Sequence, residues 1–69
     1  MKQLDARGYA CPMPVVMAQR ALKSEEGGIE ILVDNHAAVE NLTRFGAANG
    51  YSVKDAPEGS DFRLTLQKK

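Results

Sequence analysis

Ile29-Glu30-Ile31-Leu32-Val33-Asp34-Asn35 is the stretch from which the fold of this chain is read. Ile29, Ile31 and Val33 are β-branched and Leu32 is apolar, so the run reads as a strand that is mostly buried. Asp34-Asn35 ends it. Asn35 suits a helix N-cap, because its side-chain oxygen can accept an amide of the first helical turn. Residues 36–49 then carry a helical pattern. At ~100° per residue, Ala38, Val39, Leu42, Phe45 and Gly46 share one face, with Glu40, Thr43, Arg44 and Ala47 opposite.

Upstream, Glu25-Glu26-Gly27-Gly28 makes a turn. Before it, residues 12–24 read as a first helix, with Val15, Ala18, Ala21 and Leu22 toward the core and Arg20 and Lys23 away from it. Residues 2–5 are a short first strand, and residues 6–10 a loop flexible at Gly8. Downstream, Asn49-Gly50 could open a hairpin, but the helical stripe ahead of it favours a helix C-cap. Residues 51–55 and 62–66 alternate and are read as strands, joined by a turn over residues 56–60 that contains Pro57 and Gly59. The order is βαβαββ. The expected fold class is α/β, an α+β two-layer sandwich with both helices on one face of one sheet. The other face then meets water, which suits Ser52, Lys54, Arg63 and Thr65 but not Leu32.

The chain has 69 residues, which bounds it to one small domain, residues 1–69. Nine basic and nine acidic residues cancel, so the basic face of a direct nucleic-acid binder is not expected. No apolar run approaches the ~20 residues of a membrane span, and the first residues lack an apolar signal region. With one cysteine there is no disulfide framework, which fits a reducing, cytoplasmic setting.

That cysteine is Cys11, in Cys11-Pro12-Met13-Pro14. It cannot close an intrachain disulfide and has no cysteine partners for a structural metal site, so neither metal nor cofactor is expected. Proline fits the first turn of a helix, so Pro12 reads as the first helical residue and Cys11 as the N-cap. Converging amide dipoles there favour a thiolate. Arg7 would add positive charge, while Asp5 is expected to organise the loop through backbone hydrogen bonds. The plainer reading is that Cys11 is a small buried hydrophobe.

Met13, Val16 and Met17 fall outside the core stripe on the helical wheel, at the thiol's end of the helix. They form a candidate partner-docking patch, because methionine adapts to varied surfaces. The alternative is a core stripe wider than the ideal wheel. His36 could pair with Cys11 as a base if the two helix starts are neighbours; a solvated first-turn histidine is the commoner case.

Leu4-Asp5-Ala6-Arg7-Gly8-Tyr9-Ala10-Cys11-Pro12-Met13-Pro14 resembles the Leu-Asp-x-x-Gly-x-x-Cys-Pro-x-Pro signature of the SirA/TusA/YedF sulfur-carrier family. Asp34-Asn35-x-Ala37, Asn49-Gly50-Tyr51 and the terminal hairpin follow in the family's order. The resemblance implies a four-stranded mixed sheet of order 1-2-4-3. It implies that Cys11 carries a persulfide, with Asp5, Gly8, Pro12 and Pro14 shaping its loop. The implied partners are a cysteine desulfurase as sulfur donor and an acceptor sulfurtransferase or DsrE-like protein or domain. The implied role is a relay carrier rather than a stand-alone enzyme, serving tRNA thiolation or selenium and sulfur metabolism. Met13 and Ala10 stand where well-known TusA sequences have Glu and Arg, and residues 33–41 look closer to the first domain of YedF-type proteins. The alternative function is a regulatory or redox-sensing module that uses Cys11 for mixed disulfides.

Overall fold

In the computed structural model, which describes residues 2–10, 12–24 and 27–69, the strand read from Ile29-Glu30-Ile31-Leu32-Val33 is β2, Gly28–Val33. The other elements are β1 (Lys2–Asp5), α1 (Met13–Ser24), α2 (His36–Ala48), β3 (Tyr51–Glu58) and β4 (Asp61–Lys68). The sheet order is β1-β2-β4-β3. β1 lies parallel to β2, and β4 runs antiparallel to both β2 and β3. The expected two-layer α/β sandwich and its 1-2-4-3 order are therefore the architecture of this chain. α1 crosses between neighbouring parallel strands. α2 crosses over a one-strand gap, and β4 fills that gap, a split βαβ arrangement.

Alternation along the strands sorts the two faces. Ile29, Ile31, Val33, Leu64 and Leu66 are fully buried beneath the helices, with Leu42, Ala18, Ala21 and Ala38 above them. Gly46 is also buried, and a Cβ there would collide with the side chain of Val53, so α2 rests on β3 with no room for a larger residue. On the open face Gln3 donates to Glu30 (3.0 Å), and Arg63 makes two 2.8 Å hydrogen bonds to Glu58. Leu32 is half-buried there, paired across the strands with Asp5 and Arg63.

Both caps of α2 match the sequence reading. The Asn35 side-chain oxygen accepts from Ala38 N–H at 2.8 Å. Asn49 ends the helix, its N–H shared between Gly46 and Phe45 carbonyls, and Gly50 takes φ 82° just beyond. Three boundaries differ. α1 starts at Met13 rather than Pro12, since the first helical hydrogen bond is Val16 N–H to the Pro12 carbonyl, so the N-cap position falls to Pro12 and not to Cys11 as expected. The proposed turn at 25–28 is described only for Gly27 and Gly28; Glu25 and Glu26 lie outside the described residues. The final turn is only Gly59-Ser60, because β3 continues through Pro57. Proline is tolerated because β3 is an edge strand. Lys69 N–H bonds to the Gly50 carbonyl, so by alternation the Pro57 nitrogen faces away from β4 and no ladder bond is lost.

Candidate functional site around the Cys11 loop

The topology gathers one end of the molecule. The parallel strands β1 and β2 both finish there, and β4, running the other way, begins there: Val33 pairs with Phe62. The loop after β1, the β2–α2 junction and the first residue of β4 are therefore neighbours, although they are far apart in sequence.

Side chains tie this end together. Arg7 donates from Nε and Nη2 to the two oxygens of Asp5, at 3.0 and 2.9 Å, and its backbone N–H also reaches Asp5 Oδ1 at 3.1 Å. Its Nη1 reaches Asp61 Oδ2 at 3.3 Å. The side-chain hydrogen bond from Arg7 holds the Asp5 carboxyl down at about 2, with the Arg7 backbone N–H adding to the effect. Ala6 N–H continues the β1–β2 ladder to the Leu32 carbonyl at 2.8 Å, and Ala6 itself is buried. Gly8 follows with φ 84°, open around its missing Cβ, so the backbone angle is what requires glycine there. Its N–H donates to Asp34 Oδ2 at 2.8 Å.

The loop thus confirms the organising backbone contact expected of Asp5. It changes the reading of Arg7: its guanidinium is engaged by two carboxylates, so it is not a free positive charge for the thiol. Cys11, the expected N-cap and persulfide carrier, lies outside the described residues. Its flanks are described. The Ala10 carbonyl accepts from Met13 N–H at 2.9 Å. Pro12 is exposed, and Pro14 is buried in the first turn of α1, where a missing N–H is harmless.

Among the described residues the exposed large hydrophobics are Tyr9 and Met13, two positions to either side of Cys11. Val16 and Met17 are half-buried, and Met17 packs against the core, although the helical wheel puts it outside. The reason is Pro14. Its burial turns the centre of the stripe toward Met17, and the small Ala18 and Ala21 bring the helix close to the sheet. Met13→Lys is accordingly expected to change stability by less than ~0.5 kcal/mol. Met17→Lys is expected to cost about 1–2 kcal/mol, its charge escaping full burial by extending to solvent. Urea unfolding of the two variants reads the difference, and equal midpoints would place Met17 with Met13 on the surface.

A small apolar cleft lies beside this end, lined by Tyr9, Pro12, Pro14, Val15, Ala38 and Asn41. His36 is exposed at the start of α2, its ring against Phe62 with centroids 4.8 Å apart. Among the described residues, no group of three or more His, Cys, Asp or Glu is placed to hold a metal ion, and no helix is long and apolar enough to cross a membrane. The sequence reading missed Tyr9, Asp34 and Asp61. An exposed aromatic at position 9 was visible as a residue type. The ties from Asp34 and Asp61 span 26 and 54 positions and leave no local signal.

Comparison with known proteins gives a consistent result. The family model described as Sulfurtransferase TusA matches residues 2–68. A candidate sulfur carrier protein of Methanocaldococcus jannaschii is 41% identical over 99% of this chain and 95% of its own length. Another, YrkI of Bacillus subtilis, is 33% identical over 97% of this chain and 93% of its own. The crystal structure of a SirA-like protein from Desulfitobacterium hafniense superposes with a TM-score of 0.88 at 31% identity, over 97% of this chain and 96% of that one. With the signature loop, the strand order and the full-length match in agreement, this chain belongs to the TusA family.

Proposed function

We propose that this chain is a cytoplasmic sulfur carrier, a relay component rather than a stand-alone enzyme. Its Cys11 thiolate attacks the outer sulfur of a persulfide on a cysteine desulfurase. The new S–S bond forms on Cys11 as the donor S–S bond breaks, and the electron pair leaves on the donor thiolate. The exchange needs no external oxidant or reductant. The same chemistry run outward passes the sulfur to an acceptor sulfurtransferase or a DsrE-like protein, toward tRNA thiolation or selenium and sulfur metabolism.

The observation that carries this reading is membership of the TusA family across residues 2–68, in a chain whose sole cysteine falls in the family's Cys-Pro-x-Pro element. One thiol can accept and release a sulfur without being trapped in an intrachain disulfide. The exposed Tyr9 and Met13 to either side support docking of a partner around the thiol, with Val16 and Met17 at the edge of that surface. Asp5 and Gly8 hold the loop on one side, and Pro12 and Pro14 on the other.

The test is intact mass after incubation with a cysteine desulfurase and cysteine. A gain of one sulfur, about 32 Da and removable by a thiol reductant, is expected from thiolate attack. No gain with several desulfurases, under conditions where a known carrier is loaded, would defeat the proposal.

A further inference from the structure

The hydrogen bond from Gly8 N–H to Asp34 Oδ2, at 2.8 Å, joins the loop that leads into Cys11 to a residue of the β2–α2 junction. Asp34 is itself held. Its other oxygen accepts from Asn35 Nδ2 at 2.9 Å, and Asn35 Oδ1 in turn caps α2 through Ala38 N–H. These contacts make one chain from the start of α2 to Gly8, three residues before the thiol. Hydrogen bonding from Asn35 first, and from the Gly8 N–H second, keeps the Asp34 carboxyl below the usual carboxylate range, so it is ionised at neutral pH and accepts both bonds strongly. Beyond Gly8 the described loop has the Tyr9 N–H to Ala6 carbonyl contact, long at 3.4 Å, before the Met13 N–H to Ala10 carbonyl bond. The segment carrying Tyr9 and Ala10 toward Cys11 therefore takes its direction from how Gly8 is fixed.

We infer that Asp34 is a positioning residue for Cys11: by anchoring Gly8 to the capped start of α2, it sets where the loop presents the thiol. The inference rests on Cys11 being the reactive group. It does not require that the cargo be sulfur. Asp34 acts through Gly8 and takes no part in bond making.

Two substitutions separate the anchor from the charge. Asp34→Ala and Asp34→Asn both remove the negative charge, but only Asn keeps an oxygen for the Gly8 N–H. Asp5, Arg7, Tyr9, His36, Glu58 and Asp61, charged and titratable groups at this end, are the same in both. Three readouts are taken: exchange of the Gly8 amide with solvent, the pH profile of Cys11 alkylation by iodoacetamide, and the kinetics of sulfur loading from a cysteine desulfurase. In Asp34→Ala the Gly8 amide is expected to exchange about tenfold faster. The alkylation inflection is expected to move away from that of Asp34→Asn, because loosening the loop that leads to Cys11 changes the surroundings that set a thiol's acidity. Loading is expected to fall about tenfold in kcat, a loss of the kind misplacement causes, with Asp34→Asn within about twofold of the parent.

The inference is overturned if Asp34→Ala matches Asp34→Asn in both amide exchange and alkylation profile, or if Asn is as slow as Ala in loading, which would make the charge the active feature. Alkylation needs no sulfur donor. A parent protein that fails to load would therefore sink the sulfur-carrier proposal and leave this inference to be decided by the first two readouts. Should Asp34→Ala fail to fold, Asp34→Asn with a slow Gly8 amide and an unchanged loading rate supports the anchor, and Asn with a fast Gly8 amide and full loading overturns it.

Discussion

Cys11→Ser is expected to abolish sulfur loading while leaving the fold intact. The exchange that charges the carrier needs a sulfur nucleophile that forms and then surrenders an S–S bond. A serine hydroxyl is close in size, remains protonated at neutral pH, and cannot form that bond. The loss should be complete within the sensitivity of intact-mass measurement. The described core is built from Ile29, Ile31, Val33, Leu42, Leu64 and Leu66, with Ala6, Ala18, Ala21 and Ala38 between them. If Cys11 stands outside that core, as a carrier thiol must, the exchange to serine should change stability by less than ~0.5 kcal/mol. The paired measurement separates the two readings open from sequence. Full loading of the serine variant would move the sulfur to another group. A stability loss beyond about 1 kcal/mol would instead return Cys11 to the role of buried filler, since an unpaired hydroxyl is penalised only where water is excluded.

The elements were legible because each carries its own local pattern. The β-branched run ending at Asp34-Asn35 gave β2 and the cap of α2. The stripe from Ala38 to Gly46 gave the buried face of that helix, and Asn49-Gly50 its end. The errors lie where a local pattern meets a tertiary partner. Pro57 reads as a turn residue, yet it belongs to β3, because only the sheet order shows that β3 is an edge with room for a missing N–H. Met17 sits outside an ideal stripe, yet packs inward because Pro14 is buried beside it. The strand order came from resemblance, since alternation fixes the faces of a strand and not its neighbours.

The site was legible in a different way. Leu-Asp-x-x-Gly-x-x-Cys-Pro-x-Pro marked the loop by residue type, and the structure supplies physical reasons for two of its members: Asp5 receives Arg7, and Gly8 adopts a positive φ with its amide turned to Asp34. Arg7 was misread because its charge was weighed against the near thiol alone. Asp61 lies at the start of the last strand, and only the antiparallel placement of β4 beside β2 brings it to Arg7.

Gly28→Ala is expected to be the most damaging single methyl that this chain can receive in the sheet. Gly28 has φ 145°, a region that side chains with a Cβ rarely enter, and it pairs with Gln67 on β4. A Cβ at this position would press into the Leu66 carbonyl oxygen and also meet Gln67 Cα at 3.0 Å. Both are backbone atoms, so no rotamer change relieves the contact. β4 cannot step back cheaply either. It is a central strand with β3 paired along its other edge, and its Leu64 and Leu66 are fully buried beneath the helices. Backbone strain of ~1–3 kcal/mol and overpacking of ~1–3 kcal/mol combine to a loss of about 2–6 kcal/mol. At ~0.05–0.15 kcal/mol per residue, a chain of 69 residues holds only about 3–10 kcal/mol in total, so the variant should be largely unfolded or close to it at 37 °C. Gly27→Ala is the matched comparison. Its φ is 109°, but nothing lies within 4 Å of the added methyl, so it should lose only the strain, about 1–2 kcal/mol. Urea midpoints of the two variants separate the contributions. A Gly28→Ala protein no less stable than Gly27→Ala would mean that β2 and β4 part at this end without penalty, and that the register anchoring the whole sheet begins at Ile29 instead.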